Sequence, residues 1–166
     1  DFRYPIKMPK GRKAQISRAK REGVVIELSE DFDNFIELEN SVLSEHHNTK
    51  AVHTGFELKL LYSRFPTNIE LYSANYQGKM IAGAVVFVYN NVVHTQYLAA
   101  NDIAREIGAL DLCISEIISK YSTSKQFLDF GISTEDGGRV LNNGLISQKE
   151  GFGARTLVYQ TWELKV

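Results

Sequence analysis

Three consecutive stretches rich in β-branched and aromatic residues constrain the fold of this chain more than any other feature. They cover residues 69–76, 80–89 and 92–99, and the segments Gln77-Gly78-Lys79 and Asn90-Asn91 separate them. Glycine and asparagine tolerate a positive φ angle, so both connections suit tight hairpin turns. The pattern therefore predicts an antiparallel meander of three strands.

Helices and strands are predicted on the N-terminal side of this meander. Good helix formers fill residues 12–22 and stop at Gly23, and a strand follows over residues 24–28. Apolar residues then recur at helical spacing over residues 32–47, and a shorter helix covers residues 56–64 before Pro66.

A helix is also expected directly after the meander. It begins near Asn101-Asp102, with Asp102 as its cap, and one apolar stripe runs along it. The stripe consists of Ile107, Leu110, Ile114, Ile117, Ile118 and Tyr121. A strand over residues 126–130, a helix over 139–149 and a strand over 156–164 complete the order. We therefore predict an α/β fold (α+β mixed) with a mostly antiparallel mixed sheet flanked by helices.

Composition is that of an ordinary globular domain. The 166 residues are 43% hydrophobic and 23% charged, no apolar run approaches the roughly 20 residues of a membrane helix, and the N-terminus lacks the apolar core of a secretory signal. The one cysteine, Cys113, permits no intramolecular disulfide. We expect a cytoplasmic protein that is one domain over residues 24–166, preceded by an arm over residues 1–23 that belongs to it.

The arm carries most of the positive charge. Residues 2–21 hold eight lysines and arginines and no acid, whereas the net charge of the whole chain is −1. Such an arm could attract a phosphate-bearing ligand such as a nucleotide, coenzyme A or tRNA, or it could be a solvated basic helix without a ligand.

Three segments resemble the FemAB-like acyltransferases of the GNAT (N-acetyltransferase) superfamily. Residues 10–24 are similar to the arginine-rich entry helix of that family, and residues 94–100, His-Thr-Gln-Tyr-Leu-Ala-Ala, are similar to its central strand. The most specific resemblance is Asp129-Phe130-Gly131 followed by Lys149-Glu150-Gly151-Phe152-Gly153, which match the D-F-G and K-x-G-F-G signatures. Family members often carry two GNAT-like halves, and this chain resembles the C-terminal one.

The resemblance implies an enzyme that transfers an acyl or aminoacyl group to an amine. The donor would be acetyl-CoA or another acyl-CoA, or aminoacyl-tRNA, and the acceptor an amine-bearing small molecule, a peptide or a cell-wall precursor, with a homodimer as one possible assembly. A non-catalytic, substrate-binding half of a larger FemAB-type protein is the alternative. A third hypothesis is a nucleic-acid binder that uses the basic arm.

The donor site implied by the resemblance lies where the central strand meets the next helix. Its candidate cofactor-binding residues are Leu98, Ala99, Ala100, Asn101, Arg105 and Gly108. The usual Q/R-x-x-G-x-G/A signature is absent, and Asp102 and Glu106 would oppose a phosphate. A plain capped helix is the alternative there. Ser147 stands where many acetyltransferases have a tyrosine that protonates the leaving thiolate.

Other polar residues are candidates for catalysis and substrate binding. His94 and Tyr97 are the catalytic candidates, and strand alternation should turn them to opposite faces. The substrate-binding candidates are Arg12, Arg18, Asp129 and Lys149. Each of these residues could instead be structural or solvent-exposed. We further expect Arg12 or Arg18 to lie within reach of Lys149.

No metal site is expected. His46, His47 and His53 lack the spacing of a zinc motif. Cys113 lies beside the apolar stripe of the predicted helix, so it is expected to be a core residue rather than a nucleophile.

Overall fold

The protein is described by a computed structural model that covers residues 1–47 and 49–164, apart from the side chains of His46 and His47. Six helices are present: α1 Lys10–Glu22, α2 Phe32–His47, α3 Gly55–Arg64, α4 Asp102–Ile107, α5 Ala109–Tyr121 and α6 Asn143–Glu150. Seven strands accompany them: β1 Val25–Ser29, β2 Ile69–Tyr76, β3 Lys79–Val88, β4 Val92–Ala100, β5 Phe127–Asp129, β6 Thr134–Glu135 and β7 Val140–Leu141. None of these helices is both long and apolar enough to cross a membrane.

The main sheet has the order β1-β2-β3-β4-β5. Strands β1 to β4 pair antiparallel, which confirms the predicted meander, and β5 lies parallel to β4. The turn between β2 and β3 is formed by Gln77 and Gly78, whose φ angles are 51° and 76°. Two consecutive positive φ angles are typical of the type I′ turn, which matches the right-handed twist of a hairpin.

Helices cover both faces of this sheet. On one face, α1, α4 and α5 pack over alternate residues of β2, β3 and β4, and Ala19, Ala104 and Ile117 are buried there. On the other face, α2 and α3 bury Phe32, Phe35 and Leu58. Strand β3 is therefore buried on both sides, which explains its nearly continuous apolar sequence.

Helix α2 approaches the sheet closely at Gly83. A Cβ atom at this position would lie 2.9 Å from the Phe35 ring and 2.9 Å from the carbonyl oxygen of Tyr72. Only glycine leaves room for the aromatic ring, so α2 is seated directly over β3 and its neighbour in β4, Ala99.

The structure corrects four details of the sequence prediction. Gly108, with a φ of 79°, divides the expected long helix into α4 and α5, and Asn101 rather than Asp102 accepts the capping hydrogen bond from the Ala104 N–H. The predicted helix over 139–149 begins only at residue 143, because residues 140 and 141 pair with β6.

The fourth correction concerns the C-terminal segment. Residues 154–164 have no regular secondary structure, so the predicted strand over 156–164 is wrong. The side chains of Leu157, Tyr159 and Trp162 are largely exposed. A sequence that favours extended structure forms a strand only where a neighbouring strand offers hydrogen-bond partners, and this segment pairs with none of the described strands.

Candidate active site

The parallel strands β4 and β5 separate after three residue pairs. Residues 92–94 pair with residues 127–129, and just beyond them Thr95 Oγ1 donates a hydrogen bond of 3.3 Å to the Asp129 carbonyl. Further along, this edge of β4 has no partner among the described strands. A cleft of about 1000 Å³ opens there. The β4 residues that line the cleft are Thr95, Gln96, Leu98 and Ala100.

The uncovered edge of β4 presents backbone N–H groups to the cleft. The N–H of Asn101 donates to the carbonyl oxygen of Ile81 in β3 at 3.1 Å. Successive N–H groups of a strand point to opposite edges, so those of Ala100 and Leu98 point away from β3. Both therefore lie on the edge that β5 leaves uncovered, where they are free to bind an oxygen atom of a ligand.

A β-bulge at Gln96 changes the orientation of the candidate residues on β4. Val86 pairs with Thr95 and Val85 pairs with Tyr97, so Gln96 is an extra residue. His94 and Tyr97 consequently pair with Phe87 and Val85, which both lie on the face covered by α2 and α3. The expectation that His94 and Tyr97 point to opposite faces is therefore wrong, because it assumed uninterrupted alternation.

His94 and Tyr97 each have a partner of their own. His94 Nδ1 lies 2.8 Å from Asp129 Oδ2, and Asp129 Oδ1 accepts the N–H of Gly131 at 2.8 Å. The Tyr97 hydroxyl lies 2.6 Å from His53 Nδ1 and accepts the His53 backbone N–H at 3.2 Å. Among the described residues, His94, Tyr97 and Asp129 are not part of the cleft lining.

The two sequence signatures contact each other in the fold. Lys149 Nζ donates to the carbonyl oxygen of Gly131 at 3.1 Å and also to that of Ile132. The rings of Phe130 and Phe152 stack with their centroids 5.9 Å apart. Partial burial lowers the pKa of Lys149, although nearby Asp129 acts in the opposite direction. The D-F-G and K-x-G-F-G segments thus hold the loop after β5 against α6.

Arg12 connects α1 to α5 and α6. Its guanidinium forms an ion pair with Asp111, donates to the Gln148 carbonyl at 3.3 Å and lies 4.2 Å from the centroid of the Phe152 ring. The Arg12 side chain is only 17% exposed. Burial raises the pKa of Asp111, and Arg12 opposes that rise. Arg12 lines the cleft and is a part-buried anchor of the arm.

Arg18 lies elsewhere on the arm. Its Nη2 is 3.0 Å from Glu106 Oε1 on α4, and both side chains are exposed. Arg18 is not among the described residues that line the cleft. The arm approaches Lys149 through Arg12, which contacts the backbone of the adjacent residue Gln148.

The expected phosphate-binding helix is short. Helix α4 has six residues, and it carries Asp102 in its first turn, with Arg105 Nη1 3.8 Å from Asp102 Oδ1. A Cβ at Gly108 would lie 2.7 Å from the carbonyl oxygen of Gln15, so this glycine is required for the close approach of α1. Arg105 and Gly108 nevertheless both line the cleft.

Glu39 lines the cleft, although it was not among the candidates named from the sequence. Its side chain is only 7% exposed and accepts no hydrogen bond from any residue that the structure describes, and its carboxyl oxygens keep some contact with solvent. Burial raises the pKa of Glu39 to about 7. The signal was available in the sequence: Glu39 follows Phe32, Phe35 and Ile36 at helical spacing, so a carboxyl group occupies the apolar stripe of α2.

The other candidate groups contribute no reactive centre. Among the described residues, no cluster of three or more His, Cys, Asp and Glu side chains could hold a metal ion. The side chains of His46 and His47 lie outside the described part of the chain. Cys113 is fully buried, which raises the pKa of its thiol to about 12, and its predicted place in the core is confirmed.

Replacement of Arg12 tests its role as an anchor. We expect Arg12→Ala to lower the free energy of unfolding by about 3 kcal/mol, because Asp111 would remain buried without its ion-pair partner. The matched variant Arg18→Ala removes an exposed pair and should change the free energy by less than about 0.5 kcal/mol. Urea denaturation measures both variants. Equal losses would show that Arg12 does not anchor the arm.

Replacement of Glu39 should change the pH dependence of stability. Folding raises the pKa of Glu39 from its ordinary value of 4.5 to about 7. Between these two pH values the carboxyl ionises more readily in the unfolded chain, so the native protein loses stability as the pH rises from 4.5 to about 7. We therefore expect Glu39→Gln to stabilise the protein by up to about 3 kcal/mol at about pH 8 and to have little effect at about pH 4. Thermal or urea unfolding at both pH values measures this. Glu37→Gln, at an exposed site on the same helix, should change stability little at either pH.

Comparison with known proteins shows the family of this chain. Residues 10–136, well over half of the chain, match the family model described as acetyltransferase (GNAT) domain. No curated protein sequence matches the chain.

Solved structures with the same fold agree with that match. An acetyltransferase from Trypanosoma brucei is 15% identical, with a TM-score of 0.61, and the match covers 86% of this chain and 99% of that one. An aminoglycoside acetyltransferase from an uncultured soil metagenomic sample is 16% identical, with a TM-score of 0.59 and coverage of 86% and 97%. FemX is 12% identical, with a TM-score of 0.69 and coverage of 88% of this chain and 54% of FemX. At these identities the likeness concerns the fold, and it is the family model that shows that this chain belongs to the GNAT acetyltransferase domain family.

Proposed function

We propose that this domain is an N-acyltransferase that moves an acyl group from acyl-coenzyme A to an amine. The observation that carries the proposal is the uncovered edge of β4, where the N–H groups of Leu98 and Ala100 face a cleft of about 1000 Å³. Two fixed N–H donors suit the carbonyl oxygen of a thioester, because negative charge develops on that oxygen when a nucleophile attacks. Membership of the acetyltransferase family supports the same reaction class.

In this proposal the donor lies along β4. Leu98 and Ala100 contact its acyl end through their backbone N–H groups, whereas Ala99 is fully buried and Asn101 uses its side chain to cap α4. Arg105 and Gly108 line the cleft farther from the strand and would face the remainder of the donor. Lys149 adds positive charge to the cleft lining, where the charge of Arg12 is paired with that of Asp111.

Transfer would proceed by direct attack of the amine on the donor carbonyl. The new C–N bond forms as the C–S bond of the thioester breaks, and the thiolate leaves. No covalent intermediate on the protein is required, and the buried thiol of Cys113 is not placed to form one. The main contributions of the protein are then to hold donor and acceptor together and to polarise the carbonyl.

His94, Tyr97 and Asp129 are proposed to act on the shape of the site. The pair of His94 and Asp129 bridges β4 and β5 at their last residue pair, where the strands separate. Tyr97 fixes β4 just beyond the bulge through its contacts with His53. Replacement of these residues would then change the position of the β4 edge relative to the cleft, and it would not remove a reacting group.

The reaction class proposed here requires an acceptor that carries an amine. One structural neighbour is an aminoglycoside acetyltransferase in complex with sisomicin, and FemX is another. We propose an amine-bearing small molecule or a peptide of the cell-wall type as acceptor, in a cytoplasmic protein. Aminoacyl-tRNA is the alternative donor, and the positive charge of the arm supports it.

A second candidate function is a substrate-binding half of a larger FemAB-type protein. Two observations favour it: α4 is short and carries Asp102 and Glu106 where phosphates would bind, and the chain spans about half of FemX. Under this hypothesis the cleft would bind substrate for a partner domain without catalysing transfer.

Titration with acetyl-coenzyme A separates these two functions. For the acyltransferase we expect saturable binding by calorimetry and release of free thiol when an amine is added. Arg18→Ala, outside the cleft, should bind the donor as the unmodified protein does. Absence of binding at millimolar donor would favour the substrate-binding half, or a tRNA-linked donor if aminoacyl-tRNA binds instead.

Removal of one N–H group tests the proposed oxyanion contact. Leu98→Pro eliminates a backbone donor that faces the open edge and leaves the hydrogen bonds between β3 and β4 in place. We expect kcat to fall by about 10²-fold or more, as for the loss of one oxyanion donor.

Leu98→Ala is the matched control for this variant. It shortens the same side chain and keeps the N–H, so its kcat should fall far less. Circular dichroism verifies that both variants fold. Equal activity of folded Leu98→Pro and Leu98→Ala would mean that this N–H does not contact the reacting carbonyl.

A further inference from the structure

Glu39 is a buried carboxyl group on a wall of the cleft. Its side chain is 7% exposed and receives no hydrogen bond within the described part of the chain, and its carboxyl oxygens are not completely shielded from solvent. An isolated carboxylate is costly to bury, and natural proteins normally pair such a group. A buried acid that has no partner and borders a cleft is therefore a candidate for contact with a ligand.

The position of α2 directs Glu39 toward the open edge of β4. Phe35 lies over Gly83, whose partner in β4 is Ala99. Glu39 follows Phe35 by four residues, slightly more than one helical turn, which is about 6 Å along the axis. Beyond it, Val42 and Leu43 also line the cleft. Glu39 thus lies where α2 passes from the sheet to the cleft wall. This wall is opposite the one that carries Arg12 of α1 and Lys149 of α6.

The charged groups around the cleft leave Glu39 without compensation. Arg12 is bound to Asp111, Arg105 lies beside Asp102, and Lys149 donates to two backbone carbonyls. On the elements packed against α2, the titratable pairs are Lys59 with Asp33, Tyr62 with Glu30, and Tyr97 with His53. Burial is the cause of the raised pKa of Glu39, and no neighbouring charge contributes to it.

We propose that Glu39 receives the ammonium group of the acceptor and takes its proton before the amine attacks the donor. This inference rests on the acyltransferase function proposed above. It assigns the acceptor to the class of primary ammonium compounds, because only a cation would compensate the carboxylate in this apolar wall. A neutral hydroxyl acceptor would leave the carboxylate uncompensated.

The proton balance is simple. The ammonium gives one proton to the Glu39 carboxylate, and the neutral nitrogen attacks the thioester carbon. As the C–S bond breaks, the second proton of the nitrogen passes to the leaving thiolate. Glu39 then returns its proton to solvent through the cleft. With a pKa of about 7, the carboxyl is ionised in part of the molecules near neutral pH and can serve as a general base.

Replacement of Glu39 by glutamine tests this role, with Glu39→Asp as a conservative variant and Glu37→Gln as the control. In Glu39→Gln, acetyl-coenzyme A should bind within about two-fold of the unmodified protein, and kcat/KM for lysine amide should fall by about 10²-fold or more. In the unmodified protein, kcat/KM should rise with pH through about 7, and this ionisation should be absent from Glu39→Gln. Glu39→Asp should recover part of the activity, and Glu37→Gln all of it.

Two results would overturn the proposal. One is a folded Glu39→Gln variant that binds the donor and keeps kcat/KM within about three-fold. The other is an unchanged affinity for lysine amide, measured by calorimetry without donor, in Glu39→Gln and the unmodified protein. If the unmodified protein shows no transfer at all, the acyltransferase function fails, and the amine titration still decides whether Glu39 binds an ammonium group. Absence of amine binding by the unmodified protein would also reject that site.

Discussion

The separation of β4 from β5 is the constraint on which the site depends. Three residue pairs join the strands, and the next part of β4 has an edge without a strand partner in the described fold. Backbone N–H groups on such an edge require another partner, because buried and unpaired donors are costly. The opposite edge of β4 is held along its length by β3, which is buried on both faces. The open edge is thus fixed by a rigid neighbour and does not collapse.

Two helical layers supply the walls of the cleft, and they differ in how they are stabilised. Arg12 ties α1 to α5 and α6 through Asp111, Phe152 and the Gln148 backbone. On the other side, α2 is seated by Phe35 over Gly83, and the next turn places Glu39 in the wall. The first wall gains stability from its charged residue, whereas the buried carboxyl of the second opposes folding above its ordinary pKa. A buried carboxyl group that destabilises the fold is expected at a position where function requires it.

The two sequence signatures have a structural explanation. Lys149 binds the Gly131 carbonyl, and the rings of Phe130 and Phe152 stack. Residues that are 18 or more positions apart in sequence thus form one contact region beside the point where β4 and β5 separate. This region has a role in the fold that does not depend on the identity of the donor.

Local sequence by itself determined the first three helices and the meander. Alternation, the Gln77-Gly78 turn and the stop at Gly23 depend on near neighbours, and the predicted bounds of α1 to α3 and of β1 to β4 agree with the structure within about two residues. Tertiary structure decided the features that depend on distant partners. The bulge at Gln96 arises from pairing with β3, and Arg12 is part-buried because it contacts Asp111 and Phe152. Residues 156–164 form no strand because none of the described strands pairs with them. Glu39 depends on both local sequence and tertiary structure. Its place in the apolar stripe of α2 is visible in the sequence, but its carboxyl group faces a cleft only because α2 packs beside an open strand edge.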